Sequence, residues 1–198
     1  MLVTSCSMHE EIHFNQDWSG TIKYTFDLTE MAETMGEEGF ESLMDDDLTQ
    51  KLKEPEDMHA VSYVIIDEDL KKGLCVFGYD FENVEVLNAT MSDSNPLSSA
   101  APNGEVFDYF VLKGKKLFFQ IPPMNEGEER SEEEESMMMM ADMLHVKFTL
   151  FFDRQIKKVK EKTSLEEIDI YDRNVTWEPD TGDLMYTSEP QGFVVIVK

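Results

Sequence analysis

Residues 12–26 read Ile12-His13-Phe14-Asn15-Gln16-Asp17-Trp18-Ser19-Gly20-Thr21-Ile22-Lys23-Tyr24-Thr25-Phe26. Apolar residues alternate with polar ones on both sides of a centre that is rich in turn-forming residues. A period of two is typical of a strand with one buried face and one solvated face. Two such strands joined by a short polar loop predict a β-hairpin over residues 8–28.

The rest of the chain adds more strand patterns and two helical ones. Strands are predicted at 61–66, 74–81, 106–111, 116–121, 146–152, 175–177, 184–186 and 193–197, with a polar turn at 67–72. Apolar residues recur at helical spacing over 28–48 and 131–144, and a short helix or turn is expected at 81–87. Strand runs with two inserted helices predict an α+β fold built on a mostly antiparallel sheet. We expect residues 8–198 to form a single domain.

The composition restricts the possible partners. The chain has 198 residues, of which 41% are hydrophobic, so it can bury a core. Its 17 basic and 42 acidic residues give a formal net charge of −25. Such a field repels phosphate backbones, so we expect no nucleic-acid binding. It attracts cations, which favours a cationic or protein partner.

Cys6 carries the clearest indication of location. It follows Leu2-Val3-Thr4-Ser5, which resembles the end of a bacterial lipobox, whose cysteine receives acyl chains such as palmitate. The basic and apolar parts of a secretory signal do not precede it in this sequence. A start codon placed too far downstream would explain that; the alternative is a cytosolic chain with a chance cysteine. We predict lipidation at Cys6, with residues 1–7 as a remnant of signal and anchor.

Metal sites are not expected from the acidic and histidine residues. His9 and His13 lie four apart on a predicted strand, which separates them by about 13 Å, too far to share a metal. A calcium loop of the EF-hand type starting at Asp67 would need a glycine at its sixth position and a glutamate at its twelfth. This chain has Lys72 and Gly78 there, so the motif is not present. We therefore predict neither a metal nor another cofactor.

Methionine is concentrated in one segment, with four consecutive residues from Met137 to Met140 and a further one at Met143. Met137, Met140 and Met143 share one side of the predicted helix. Packing in a flexible core, a soft binding surface and a Cu(I) site are the three interpretations. Trp18, at the hairpin tip, looks exposed and is a second candidate for partner contact. Its alternative is packing against its own hairpin.

Catalytic motifs are not found in the sequence. There is no nucleophile elbow of the G-x-S-x-G kind and no glycine-rich phosphate loop. Pairs of carboxylates carry no information in a chain with 42 acidic residues. We expect a protein that is not an enzyme. The alternatives are a secreted or surface hydrolase with an acidic site, and a methionine-based soft-metal chaperone.

Several short motifs together suggest a family. They are Cys6, then Asn15, Asp17, Ser19 and Gly20 in the turn, then Thr21 to Tyr24, Phe148 to Phe152, Ile156 to Val159, and Val175 to Trp177. In these the chain resembles a group of uncharacterised bacterial lipoproteins that includes the LppM-type domain. The resemblance implies an α+β domain at the outside of a membrane and carries over no catalytic residue. The predicted function is a lipid-anchored extracytoplasmic binding or envelope-associated domain.

Overall fold

Strands make up most of the described chain. The structure is a computed structural model, and it describes residues 6–36, 62–69, 73–94, 107–122, 144–161, 168–181, 184, 187 and 189–198. The strands in this part are β1 (Cys6–Phe14), β2 (Gly20–Asp27), β3 (Ser62–Asp69), β4 (Leu74–Phe81), β5 (Phe110–Lys113), β6 (Lys116–Ile121), β7 (Leu144–Phe152), β8 (Ile156–Glu161), β9 (Ile168–Ile170), β10 (Asn174–Trp177) and β11 (Gln191–Val197). The helices are α1 (Thr29–Met35) and α2 (Val84–Ser94).

The strands form two sheets. The larger has seven strands in the order β3-β4-β2-β1-β7-β10-β9, and the smaller has four in the order β5-β6-β11-β8. Every pair in the smaller sheet is antiparallel. In the larger sheet β1 is antiparallel to β2 on one side but parallel to β7 on the other. The long β1 therefore lies at the centre of a mixed sheet.

The predicted α+β class is wrong, because the described chain is a mostly-β fold with two short helices. The first predicted helix begins as expected, and α1 spans seven residues before Gly36, whereas the predicted continuation to residue 48 lies outside the described residues. The helix predicted at 131–144 lies outside the described residues, except for Leu144, which begins β7. α2 extends to Ser94 where only a short helix or turn was expected. The described strand pairs are mostly antiparallel, as predicted, but they form two sheets instead of one, and the pairing of β1 with β7 is parallel.

Both predicted hairpins are confirmed. β1 and β2 pair from Ser7 opposite Asp27 to Phe14 opposite Gly20, and β5 pairs with β6 across residues 114–115. The turn predicted at 67–72 begins too early, because β3 continues through Asp69.

A strand was also predicted at 184–186. The backbone N–H of Leu184 donates to the carbonyl oxygen of Asp180 at 3.0 Å, so Leu184 turns back locally. Residues 185 and 186 lie outside the described part. β1 begins at Cys6, inside the segment interpreted as an anchor remnant, and the predicted domain boundary stays a prediction.

The inner faces of the two sheets form one aromatic-rich core. Phe119 of the smaller sheet lies 5.3 Å from Phe148 and 5.9 Å from Trp177 of the larger sheet, centroid to centroid. Phe14 and Phe110 make a similar contact at 5.6 Å. The core-facing row of β1 consists of Cys6, Met8, Glu10, Ile12 and Phe14, all of them buried. A carboxyl group therefore occupies a core position in the central strand.

Candidate functional site

Glu10 is the one buried carboxyl group among the described residues, at 0% exposure. It lies opposite Tyr24 of β2 and Phe148 of β7, which puts the three side chains on the same inner face of the sheet. Neither carboxyl oxygen has a hydrogen-bond partner within the described chain. An isolated buried carboxyl group is costly, because it gives up its hydration and receives nothing in exchange.

Burial raises the pKa of Glu10 from 4.5 to about 8. The physical cause is the loss of water around the ionised form, which the core does not replace. At neutral pH Glu10 is therefore mainly a neutral carboxylic acid, with one O–H donor. A cation beside it would reverse this preference and favour the carboxylate.

Tyr109 supplies a second unsatisfied oxygen near Glu10. Its ring is 1% exposed, and within the described chain its hydroxyl group has no hydrogen-bond partner. Burial raises the pKa of Tyr109, and the negative charge of Glu10 raises it further, so the two groups interact electrostatically. Glu10 and Tyr109 are thus two buried polar groups within electrostatic reach of each other, and neither has a hydrogen-bond partner in the described chain.

Asn88 of α2 holds the segment that carries Tyr109. Its side-chain amide donates to the carbonyl oxygen of Phe110 at 2.8 Å and accepts the Phe110 backbone N–H, also at 2.8 Å. On the other side, the backbone N–H of Gln120 donates to the Tyr109 carbonyl oxygen at 2.8 Å. The backbone around Tyr109 is thus satisfied, and only its hydroxyl group is not.

Aromatic rings lie on the same inner face as Glu10, where Tyr24 and Phe148 are its cross-strand neighbours. Tyr24 and Tyr79 are in edge contact at 6.3 Å, and Phe148 stacks on Trp177 at 5.7 Å. All four are fully buried or nearly so, with exposures of 2% or less. Aromatic faces carry negative potential and attract cations. The inner site therefore combines a carboxyl group, a phenolic hydroxyl group and aromatic faces.

The outer face of β1 has different chemistry. Glu11 accepts a hydrogen bond from the Lys23 ammonium group at 2.8 Å, in a partly exposed ion pair. Burial alone would raise the pKa of Glu11, but the Lys23 hydrogen bond and the nearby His9 and His13 lower it overall. The His9 ring nitrogen Nε2 lies 3.0 Å from the Thr149 hydroxyl oxygen. This face carries a partly exposed polar network in which Thr149 is buried.

His13 stacks on Phe151 with a centroid distance of 4.2 Å, and burial lowers the pKa of both His9 and His13.

Among the residues with described positions, no three His, Cys, Asp or Glu side chains come close enough to hold a metal ion. The described helices also include none with the length and apolar character needed to cross a membrane.

Cys6, the predicted lipidation residue, is the first residue of β1 and pairs with Leu144 of β7. Its side chain is 7% exposed. Burial raises the pKa of the Cys6 thiol, and the carboxylates of Asp27 and Glu30 raise it further. In the folded domain the thiol is therefore protonated and a poor nucleophile, and lipidation at Cys6 stays a prediction.

Trp18 is buried, which corrects the expectation of an exposed aromatic at the hairpin tip. It is 9% exposed and makes edge contacts with Phe14 at 6.0 Å and Phe152 at 6.5 Å. The Arg154 guanidinium group covers its ring at 5.1 Å. A partner contact at Trp18 stays a prediction. The candidate contacts Met137, Met140 and Met143 lie outside the described residues.

Glu10 is not among the candidate site residues predicted from the sequence. A signal was present, because Met8, Ile12 and Phe14 continue the apolar row of the hairpin back toward residue 6. Glu10 occupies an inner position of that row, whereas Glu11 falls on the polar row. A charged residue at an inner position of a period-two pattern is the signal that would have identified the site.

The fold is similar to a solved structure, the NMR structure of the folded domain of LppM from Mycobacterium tuberculosis. The TM-score is 0.50 at 9% sequence identity, over 98% of this chain and 89% of that one. No known family and no curated protein matches the sequence. The likeness supports the LppM-like fold expected from the sequence, and at this identity it concerns the fold alone.

Proposed function

We propose that this protein is a non-catalytic binding domain of the bacterial cell envelope. It is held at a membrane by lipid on Cys6, and it binds a ligand between its two sheets at Glu10. The carrying observation is that the Glu10 carboxyl group is fully buried without a hydrogen-bond partner in the described chain. Unsatisfied buried groups are rare in folded proteins, and a bound ligand is one way in which they are satisfied.

Binding fits this site better than hydrolysis does. Acid hydrolysis of the glycosidase type uses two carboxyl groups with different pKa values on either side of a bond. In the part of the chain that the structure describes, no second carboxyl group is buried beside Glu10. A single neutral acid with Tyr109 within electrostatic reach is equipped to hold a ligand.

Lipid on Cys6 would place the domain directly at the membrane surface. Cys6 begins β1, so no described residue separates the anchor from the central strand. With a net charge of −25 the chain is repelled by anionic headgroups, so the lipid itself has to provide the attachment. The Leu2-Val3-Thr4-Ser5-Cys6 sequence and the LppM-like fold support this location.

Membrane fractionation tests the anchor. The gene is expressed in a bacterial host with its own upstream codons, and the membrane and soluble fractions are compared for wild type and Cys6→Ser. We expect wild type in the membrane fraction and Cys6→Ser in the soluble fraction. Cys75→Ser, which changes the other cysteine of the chain, is the matched control and should stay with the membrane. A soluble wild type would overturn the anchor.

Native mass spectrometry tests the binding function. Protein released from its own envelope is compared with the Glu10→Met variant prepared in the same way. We expect a non-covalent adduct of constant mass on wild type and its loss from Glu10→Met. Glu11→Met, one residue away on the opposite face, should retain the adduct. A wild-type protein without any adduct, or an adduct that survives Glu10→Met, would contradict ligand binding at this site.

A further inference from the structure

We propose that the inner site binds a primary ammonium group attached to an apolar body. This inference rests on the proposed binding function and specifies its ligand class. Three buried oxygen atoms have no hydrogen-bond partner in the described chain: Glu10 Oε1, Glu10 Oε2 and the Tyr109 hydroxyl oxygen, and the two residues lie within electrostatic reach of each other. A primary ammonium group has three N–H donors and no acceptor. Once Glu10 is ionised, the three unpartnered oxygen atoms equal in number the three N–H donors.

Other ligand chemistries match less well. A carboxylate or phosphate ligand would bring its negative charge into a core in which no described Lys or Arg side chain is buried to pair with it. An alcohol donates a single hydrogen bond and leaves the remaining oxygens unsatisfied. A quaternary ammonium group carries the right charge but has no N–H donor. Charge and donor number together select the primary ammonium group.

The surroundings determine the rest of the ligand. Tyr24, Phe148 and Trp177 are at most 2% exposed, so the body of the ligand would lie among aromatic rings. Aromatic faces favour a cation and an attached alkyl chain together. The net charge of −25 raises the local concentration of cations around the protein. An alkylammonium group meets both conditions.

Binding should release a proton. Glu10 is mainly protonated at neutral pH, because burial raises its pKa to about 8. The incoming ammonium group stabilises the carboxylate, so the Glu10 proton leaves to the buffer while the ammonium group keeps all three of its own. We expect release of about one proton per ligand near pH 6.5 and little release near pH 9. Because Glu10 is fully buried, entry requires local opening of the domain, and association should be slow.

The experiment uses n-hexylammonium chloride and isothermal titration calorimetry. Titrations of the full chain in buffers of different ionisation enthalpy give both the affinity and the number of protons released. Two matched probes separate the contributions of the N–H donors, the positive charge and the alkyl chain to the affinity. Hexyltrimethylammonium keeps the charge and chain without N–H donors, and 1-hexanol keeps the chain without charge. We expect both to bind at least about tenfold more weakly than hexylammonium, which is the loss expected for missing charged hydrogen bonds.

Variants locate the site. Glu10→Gln keeps the shape of the side chain but cannot ionise, so it should lose both the binding and the proton release. Glu11→Gln should retain them. Amide NMR spectra of each variant establish that it is folded, and hexylammonium should shift the resonances of β1 and of residues 109–110 in wild type. Equal binding to wild type and Glu10→Gln, or binding without proton release near pH 6.5, would overturn the ligand class.

Failure of this inference can be separated from failure of the proposed function. If hexylammonium does not bind at millimolar concentration but envelope-purified protein carries an adduct that depends on Glu10, the ammonium class is wrong and the binding function stands. If there is neither binding nor adduct, both are wrong. Loss of membrane attachment alone would affect only the anchor.

Discussion

Glu10 and Glu11 are neighbours in β1 and have the same chemistry, yet they differ in nearly every physical property. Glu11 faces outward and pairs with Lys23 at 2.8 Å, and its pKa is lowered. Glu10 faces inward and is fully buried, and its pKa is raised to about 8. Successive side chains of a strand point to opposite faces, so one residue along the chain separates a solvated ion from a core acid.

The comparison separates a group that stabilises the fold from one that does not. The outer carboxylate keeps part of its hydration and gains a partner, so its pairing is mildly favourable. The inner carboxyl group loses its hydration without compensation, which destabilises the folded state. Proteins commonly break the rules of stability where function requires it, which is the reason for assigning a ligand to the inner group.

The largest expected effect is on the pH dependence of stability. Glu10 has a higher pKa folded, about 8, than its ordinary 4.5, so the folded state binds its proton more tightly. This contribution to the free energy of unfolding is complete below about pH 4.5 and is lost as the pH rises to about 8, on the order of 5 kcal/mol in total. Urea unfolding of wild type and Glu10→Met across this range measures it as a difference.

The sign of the effect distinguishes the two glutamates. The lowered pKa of Glu11 means that its contribution is lost as pH falls instead. The wild type should lose stability relative to Glu10→Met as pH rises, whereas the difference from Glu11→Met should have the opposite slope. A pH-independent difference between wild type and Glu10→Met would show that Glu10 is ionised or partnered in the folded protein.

The second effect is a gain in stability at pH 7. Glu10→Met removes the need to keep an acid protonated in the core and fills the same space with an apolar chain. We expect the free energy of unfolding to rise by roughly 3 kcal/mol, which is the cost of protonating an ordinary glutamate at this pH. Chemical denaturation measures it. The control variant Glu11→Met should be destabilised by less than about 1 kcal/mol. A loss of stability in Glu10→Met would contradict the assignment of Glu10 as an unpartnered acid in the core.

A smaller effect is expected at Thr149 on the outer face. Its buried hydroxyl oxygen lies 3.0 Å from His9 Nε2 and 3.4 Å from the Thr176 hydroxyl oxygen. Thr149→Val keeps the shape but removes both contacts, so we expect a loss of about 1 kcal/mol. Thermal and urea unfolding measure it, with the exposed Thr21→Val as control. If Thr149→Val is as stable as wild type, the hydrogen bonds of Thr149 on the outer face add no stability.

The smallest expected effect is at Lys23. Lys23→Met removes the ion-pair partner of Glu11. Because Glu11 is partly exposed and can be hydrated by solvent, the loss of stability should stay below about 1 kcal/mol. The pKa of Glu11 should rise, while that of Glu10 should not change. NMR titration of the carboxyl groups measures both, and Lys147→Met, whose ion pair is with Glu178, is the control. A changed pKa of Glu10 in Lys23→Met would mean that the inner and outer faces of β1 are electrostatically coupled.

Local patterns explain which parts of the fold were predictable. The hairpins follow from period-two alternation and from turn residues such as Asp17, whose carboxylate oxygen accepts hydrogen bonds from the Ser19 backbone N–H and hydroxyl group. The parallel pairing of β1 with β7 was not predictable, because the two strands are far apart in sequence and no turn joins them. The same pairing places Phe152 beside Phe14, which is why Trp18 packs inward.

The sequence by itself determined the strand faces, since alternation assigns Glu10 and Glu11 to opposite sides of β1 before any contact is known. It also determined the charge of the chain and the turns of both hairpins. Only the tertiary structure decided that the inner side is a closed two-sheet core, because burial depends on the smaller sheet and α2 covering that face. That covering removes water from Glu10 and brings Tyr109 near it, and those two facts make the inner acid a candidate binding site.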